Sequence, residues 1–355
     1  MQTLLCLSII LESVGCLVVP LSQFLNGNNA VYTVNKSSRI YVISNSDHAI
    51  LRSLNLTTTN GLQNSDGFTL STRQSDGSLL PLIPSKDGDN LTVAYRNTDE
   101  ISGWLYINHV TDYLNVFPLD MNWTDPIGFK TGTNVFFRLN SPAVQIPVAR
   151  NVVLGDSVVF CGYVGLPDDE FPLKFFDSTS IDGATNYSQL ELPLKMFHFT
   201  SNGVNVQYEV TYSMRIGLVI GNNGLIMSDD FPSPILITNN YHLLNANNHN
   251  IDSYFLPRLD WNQNYAVNMT LYFPEPLDPL FFPIPSWGST NISSNSPVNR
   301  ILVSSGGPFA IQYRMTDTSA TTTANPFETS TRSSGFVSLM TVFLTVFTMF
   351  LRVFV

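Results

Sequence analysis

A two-residue beat runs through this chain. Residues 30–34 (AVYTV), 39–43 (RIYVI), 91–95 (LTVAY), 104–107 (WLYI) and 204–208 (VNVQY) are short runs rich in Val, Ile, Tyr and Thr, several with apolar and polar side chains in turn. A period of two sends successive side chains to opposite faces of a strand, whereas a helix face needs apolar residues three and four apart. Between the runs stand dipeptides that supply the positive φ of tight hairpins: Asn60-Gly61, Asp66-Gly67, Asp76-Gly77, Asp87-Gly88, Asp182-Gly183, Asn202-Gly203 and Asn223-Gly224. Twenty-one prolines oppose helix interiors. The pattern predicts an all-β chain of antiparallel β-sandwiches.

A weak internal echo suggests that the sandwich is repeated. Val93-Ala94-Tyr95 and Leu105-Tyr106-Ile107 return, without a gap, as Val206-Gln207-Tyr208 and Leu218-Val219-Ile220. The expected order is β domains at 17–115, 116–230 and 231–315, the last being a third domain or an extension of the second.

Only 12% of the 355 residues are charged, about half the usual share, and the net charge is −10. Phosphate backbones are bound by basic stripes that release counterions, and no basic run occurs, so nucleic acid is excluded as a partner. Adsorption to anionic lipid is disfavoured for the same reason. Asn, Ser and Thr carry the polarity instead, as on surfaces kept soluble by sugars.

Both ends read as sorting signals. Residues 4–11 (LLCLSIIL) form a short apolar run, followed by the small residues Ser13 and Gly15. This is the pattern of a signal peptide spanning 1–16, cut after Gly15 or Cys16. Residues 336–351 (FVSLMTVFLTVFTMFL) are apolar and follow a Ser/Thr-rich stalk at 316–335. A small residue, a polar spacer and a hydrophobic tail at 336–355 make a lipid-anchor (GPI) signal, with Ser319, Ala324 or Ser333 as attachment residue. A short single-pass helix is the alternative, although sixteen residues fall below the roughly 20 that span a bilayer. The expected location is the outer leaflet of the plasma membrane. Seven Asn-x-Ser/Thr triplets, at Asn35, Asn55, Asn90, Asn122, Asn186, Asn268 and Asn291, are candidate glycan acceptors. Asn55 and Asn291, the latter in a Ser/Asn loop, read as the most exposed.

The three cysteines are Cys6, inside the leader, Cys16 and Cys161. Either Cys16 and Cys161 form a disulfide, or Cys161 is a lone buried thiol. Catalytic motifs are missing: no Gly-x-Ser-x-Gly elbow and no His-Glu-x-x-His zinc helix occur. His48, His109, His198, His242 and His249 are scattered, and 239–250 reads as a polar loop. Asp168-Asp169-Glu170 reads as a solvated turn rather than a calcium site. No metal and no cofactor is expected. A glycosidase-like hydrolase remains the alternative. It needs two carboxylates roughly 5–10 Å apart, drawn from Asp156, Glu191, Glu209 or Glu275, in a pocket lined by Trp123 or Trp287.

Residues 171–183 (FPLKFFDSTSIDG), Phe199-Thr200-Ser201-Asn202-Gly203-Val204 and 216–223 (IGLVIGNN) resemble the nematode CUB-like secreted proteins. The resemblance covers mainly 170–225. It implies a CUB-like or jelly-roll-like sandwich at the cell surface, linked to responses to pathogens and stress. Asn223 stands where that family has Asp, so no calcium ligands carry over. Together these readings predict a non-enzymatic recognition or surface-coat protein with a glycan or protein ligand.

Overall fold

The structure is a computed structural model. It describes residues 15–63, 73–109, 114–120, 132–139, 145–168, 172–180, 186–202, 206–214, 219–220, 223–228, 231–232, 237–243, 249–255, 266–284, 290–294 and 296–317. The leader run, the stalk from 318 on with Ser319, Ala324 and Ser333, the hydrophobic tail, and Asn122, Trp123 and Trp287 lie outside them, whereas residues 316 and 317 of the expected stalk end the strand Ala310–Asp317.

The chain is all-β, with 55% strand and 5% helix. It forms two compact units, both discontinuous in sequence. Unit 1 takes residues 1–143, 162–172 and 195–209; unit 2 takes 144–161, 173–194 and 210–355.

In unit 1 the strands Leu17–Pro20, Trp104–Asn108 and Arg39–Ile43 form an antiparallel sheet with Trp104–Asn108 in the middle. It is covered on both sides. Ile40, Val42, Leu105 and Ile107 face one apolar cluster with Leu54, Leu91, Val93 and Tyr95. Tyr41, Ile43 and Tyr106 face another with Val116, Val135 and Phe137. That is why RIYVI is almost wholly buried from Ile40 on instead of alternating in and out. Each fully buried aliphatic side chain here is worth about 1.5–3 kcal/mol of transfer free energy. A second antiparallel sheet, ordered Ala30–Val34, Asp89–Tyr95, Leu54–Thr57, packs on the first cluster with one face only. On the other side Phe117, Phe136 and Phe197 lie side by side across three strands. Their rings stack at centroid distances of 5.1 Å and 5.0 Å.

Unit 2 is a sandwich. One sheet holds Gln145–Leu154, Asn186–Glu191, Asn223–Met227, Ala310–Asp317, His249–Phe255 and Thr290–Ser293 in that order. The other holds Val219–Ile220, Ile237–Leu243, Arg300–Ser305, Val267–Tyr272 and Leu280–Ile284. Ile226, Ile311 and Tyr313 from the first meet Met269, Leu271, Ile301 and Val303 from the second in one core.

Three local expectations are corrected. Not every pair is antiparallel: Leu114–Leu119 runs parallel to Gly132–Arg138, Asn186–Glu191 to Asn223–Met227, and Val219–Ile220 to Ile237–Leu243. Alternation fixes which side chains share a face but not which strand lies alongside. The stretch 239–250 is not simply a loop, because Ile237–Leu243 pairs along its length with Arg300–Ser305 and His249–Phe255 pairs with Ala310–Asp317. Neighbouring strands override the weak β propensity of asparagine. Asn223-Gly224 is not a turn but opens the strand Asn223–Met227. By contrast, Gly61, Gly77 and Gly88 have the positive φ that their turns require.

Candidate functional site

One group of reactive side chains in unit 1 gathers around Cys16. Leu17 pairs with Ile107, which brings the preceding residue alongside Asn108. The Cys16 Sγ lies 3.3 Å from Asn108 Oδ1 and 3.1 Å from the Tyr106 hydroxyl. Its backbone N–H donates to Asp168 Oδ2. His109 follows, with Nδ1 3.0 Å from Ser38 Oγ. The Ser38 hydroxyl is tied in turn to Asn35: it donates to Asn35 Oδ1 at 3.1 Å and accepts the Asn35 N–H at 3.0 Å.

Burial sets the electrostatics. It pushes the Tyr106 phenol far above its ordinary value, with the charges of Cys16 and Asp168 acting in the same direction. Tyr41, stacked on Tyr106 at 5.7 Å, is pushed up to about 12 by burial, against the pull of Arg39. Burial also lowers His109, and Asp168 offsets part of that. The imidazole is therefore neutral at pH 7.

Ser38, His109 and Asp168 are the residue types of a hydrolytic triad, and sequence reasoning did not join them. Their arrangement does not suit the chemistry. A nucleophile must present its oxygen to a substrate carbonyl. Ser38 is completely buried, and its hydroxyl is bonded both ways to Asn35. The Cys16 sulfur fares no better, because it lies against an amide oxygen and a phenol. Activated thiolates sit beside cations or helix N-termini, not among acceptors. The structure does not join Cys16 to Cys161. The Cys16 sulfur is engaged in unit 1, and Cys161 is buried on the strand Phe160–Val164.

Asp156 and Glu275 are exposed while Glu191 is completely buried, and nothing is described of the side chains of Glu209, Trp123 or Trp287. Among the described residues no group of three or more His, Cys, Asp and Glu could hold a metal. His48 is exposed, whereas His198 is buried, bonded to the Gly165 carbonyl oxygen at 3.0 Å and stacked on Tyr163. His242 and His249 lie on strands. Asp168 sits in a turn and is half-buried; Asp169 and Glu170 lie outside the described residues.

A different kind of site lies on the open face of the Ala30–Val34, Asp89–Tyr95, Leu54–Thr57 sheet. Leu54, Leu91, Val93 and Tyr95 point inward, so Val31, Thr33, Asn55, Thr57, Asn90 and Thr92 point outward. Two glycan triplets, Asn55-Leu56-Thr57 and Asn90-Leu91-Thr92, therefore share one face. A strand puts residues i and i+2 side by side, so each Asn stands next to its own Thr. Asn55 and Asn90 are both exposed. No Lys, Arg, Asp or Glu is among these outward residues, and Val31 is 61% exposed. Comparison with protein-family models and with curated proteins gives no match.

The remaining acceptors follow related geometry. Asn268 and Thr270 share the outward face of Val267–Tyr272, and Asn186 is exposed at the start of Asn186–Glu191. Asn291 lies in the strand Thr290–Ser293. Asn35 is half-buried, and its Oδ1 accepts the hydroxyl of Ser37 at 2.5 Å. Asn55 is exposed as expected, whereas Asn291 is a strand position rather than a loop position.

Proposed function

We propose that this chain is an exported cell-surface glycoprotein, held at the outer leaflet by a C-terminal lipid anchor, that acts by recognition or as a surface coat and not by catalysis. One observation carries the reading: a sheet face with no charged side chain that bears two exposed acceptor asparagines. Sheets with open edges normally protect themselves with charge. Here two N-linked glycans on Asn55 and Asn90 would cover the uncharged face and Val31, supplying the solubility that Lys and Glu usually provide.

The terminal sequence signals support export and anchoring. The inaccessible Ser38 and the acceptor-lined Cys16 sulfur support a role without covalent catalysis. The resemblance to CUB-like surface proteins favours recognition in response to pathogens or stress over a passive coat. The ligand class is a glycan or a protein. Arrays of glycans and of surface proteins, probed with the glycosylated ectodomain, test recognition. Reproducible, saturable binding to one class is the expected result. An ectodomain that binds nothing but cleaves an arrayed glycan would overturn the reading in favour of a hydrolase.

A further inference from the structure

The half-buried Asp168 carboxylate is incompletely served. Its Oδ2 receives one N–H, from the backbone of Cys16. Its Oδ1 is buried and has no hydrogen-bond partner among the described residues. Among those residues no Lys or Arg forms an ion pair with it. An unserved buried carboxylate oxygen is costly, and structures rarely keep one without a reason. The neighbour on the leader side is equally specific. A β-carbon on Gly15 would stand 3.0 Å from Asp168 Oδ2, tighter than ordinary contact.

We propose that the chain is cut between Gly15 and Cys16, and that Asp168 is the built receptor for the Cys16 ammonium this cut creates. In the uncut chain the Cys16 nitrogen offers one neutral N–H. After the cut the same atom carries three donors and a positive charge. One donor keeps the bond to Oδ2, and another turns to Oδ1. Charge-assisted hydrogen bonds of this kind are about twice as strong as neutral ones. Tyr106 and Asn108 hold the Cys16 side chain, and the pairing of Leu17–Pro20 with Trp104–Asn108 fixes the backbone, so the nitrogen is positioned before the charge appears.

The geometry chooses between the two cleavage points open to the sequence. A cut after Cys16 would remove the nitrogen that Asp168 holds and leave Leu17 first. A cut after Gly15 places small residues, Ser13 and Gly15, at the third and first positions before the bond, the spacing signal cleavage requires. The inference rests on the secretory-leader part of the proposed function and on nothing about the anchor or recognition.

The experiment uses the full chain expressed in secreting cells. Its glycans are removed, and the amino terminus is read by intact mass and terminal sequencing. The expected first residue is Cys16. An exported protein that begins at Leu17 or elsewhere overturns this inference and leaves export standing. A chain that keeps its leader overturns both. The ion pair is then read with 2-cyanobenzothiazole, which condenses with an amino-terminal cysteine: the thiol adds to the nitrile, the amine closes the ring and ammonia leaves. The folded wild-type protein should react at least about tenfold more slowly than the same protein in urea, the lower end for a hydrogen bond to a charged group. Asp168→Asn should raise the folded rate toward the unfolded one. Equal wild-type rates in the two states overturn the receptor role even if the variant does not fold.

Discussion

Thr57 stands directly opposite Thr92 across neighbouring antiparallel strands, and each closes a glycan-acceptor triplet, one from Asn55 and one from Asn90. In protein exported from eukaryotic cells, both asparagines should carry glycans. Glycopeptide mapping checks this directly. Asn55→Gln and Asn90→Gln should each remove one glycan, and the double variant should aggregate at concentrations where the wild type stays monomeric. Two unmodified asparagines would remove the observation on which the proposed function rests.

The backbone of unit 2 closes tightly around Gly224. A β-carbon there would lie 2.2 Å from the Gln189 carbonyl oxygen and 2.7 Å from the Tyr313 hydroxyl. Gln189 pairs with Gly224 in parallel, and Tyr313 pairs with it from the other side. The first obstacle is backbone and cannot rotate away. Gly224→Ala should destabilise the chain by about 3 kcal/mol, the upper end for overpacking a core. Thermal unfolding measures it, and an unchanged midpoint would mean that the three strands are not in this register.

Much of this was legible beforehand, and the exceptions share a cause. AVYTV and RIYVI are strands at the residues read from their patterns. Asn60-Gly61 makes its turn because Asn-Gly carries its own backbone preference. Asn223-Gly224 has the same local signal, yet it lies in a strand because Gln189 and Tyr313 need a residue without a side chain beside them. The parallel pairs were hidden because alternation carries no strand direction, and the doubly covered Arg39–Ile43 sheet because its covering residues are distant in sequence. Cys16 and Asp168 are 152 residues apart, and neither carries a local sign of the other. Ser38 and His109 were illegible for the same reason.

Acid should weaken the fold through Asp89. Burial alone would raise its carboxyl, but hydrogen bonds from Asn60, Asn90 and Thr59 outweigh burial and hold it below its ordinary value. The Asp89 Oδ1 accepts the Thr59 N–H at 3.1 Å, and Oδ2 accepts the Asn60 N–H and side-chain N–H₂, both at 3.1 Å. A lowered folded-state value means stability that is complete above the unfolded value, about 3.9, and is lost as pH falls through the folded one. Asp89→Asn should therefore be less stable than wild type at pH 7, with the gap smaller at an acidic pH below the folded-state value. Urea unfolding at the two pH values decides it. A gap that persists in acid would show that Asp89 acts through shape and not through charge.

Release by phosphatidylinositol-specific phospholipase C tests the cell-surface account most directly. The full chain is expressed in animal cells, intact cells are treated with the enzyme, and the protein is followed by antibodies to the ectodomain and to residues 345–355. The account predicts that the ectodomain moves into the medium and that the mature protein lacks the 345–355 epitope, because the tail at 336–355 is exchanged for the anchor. A protein that stays in the detergent phase after treatment and still carries that epitope would contradict it.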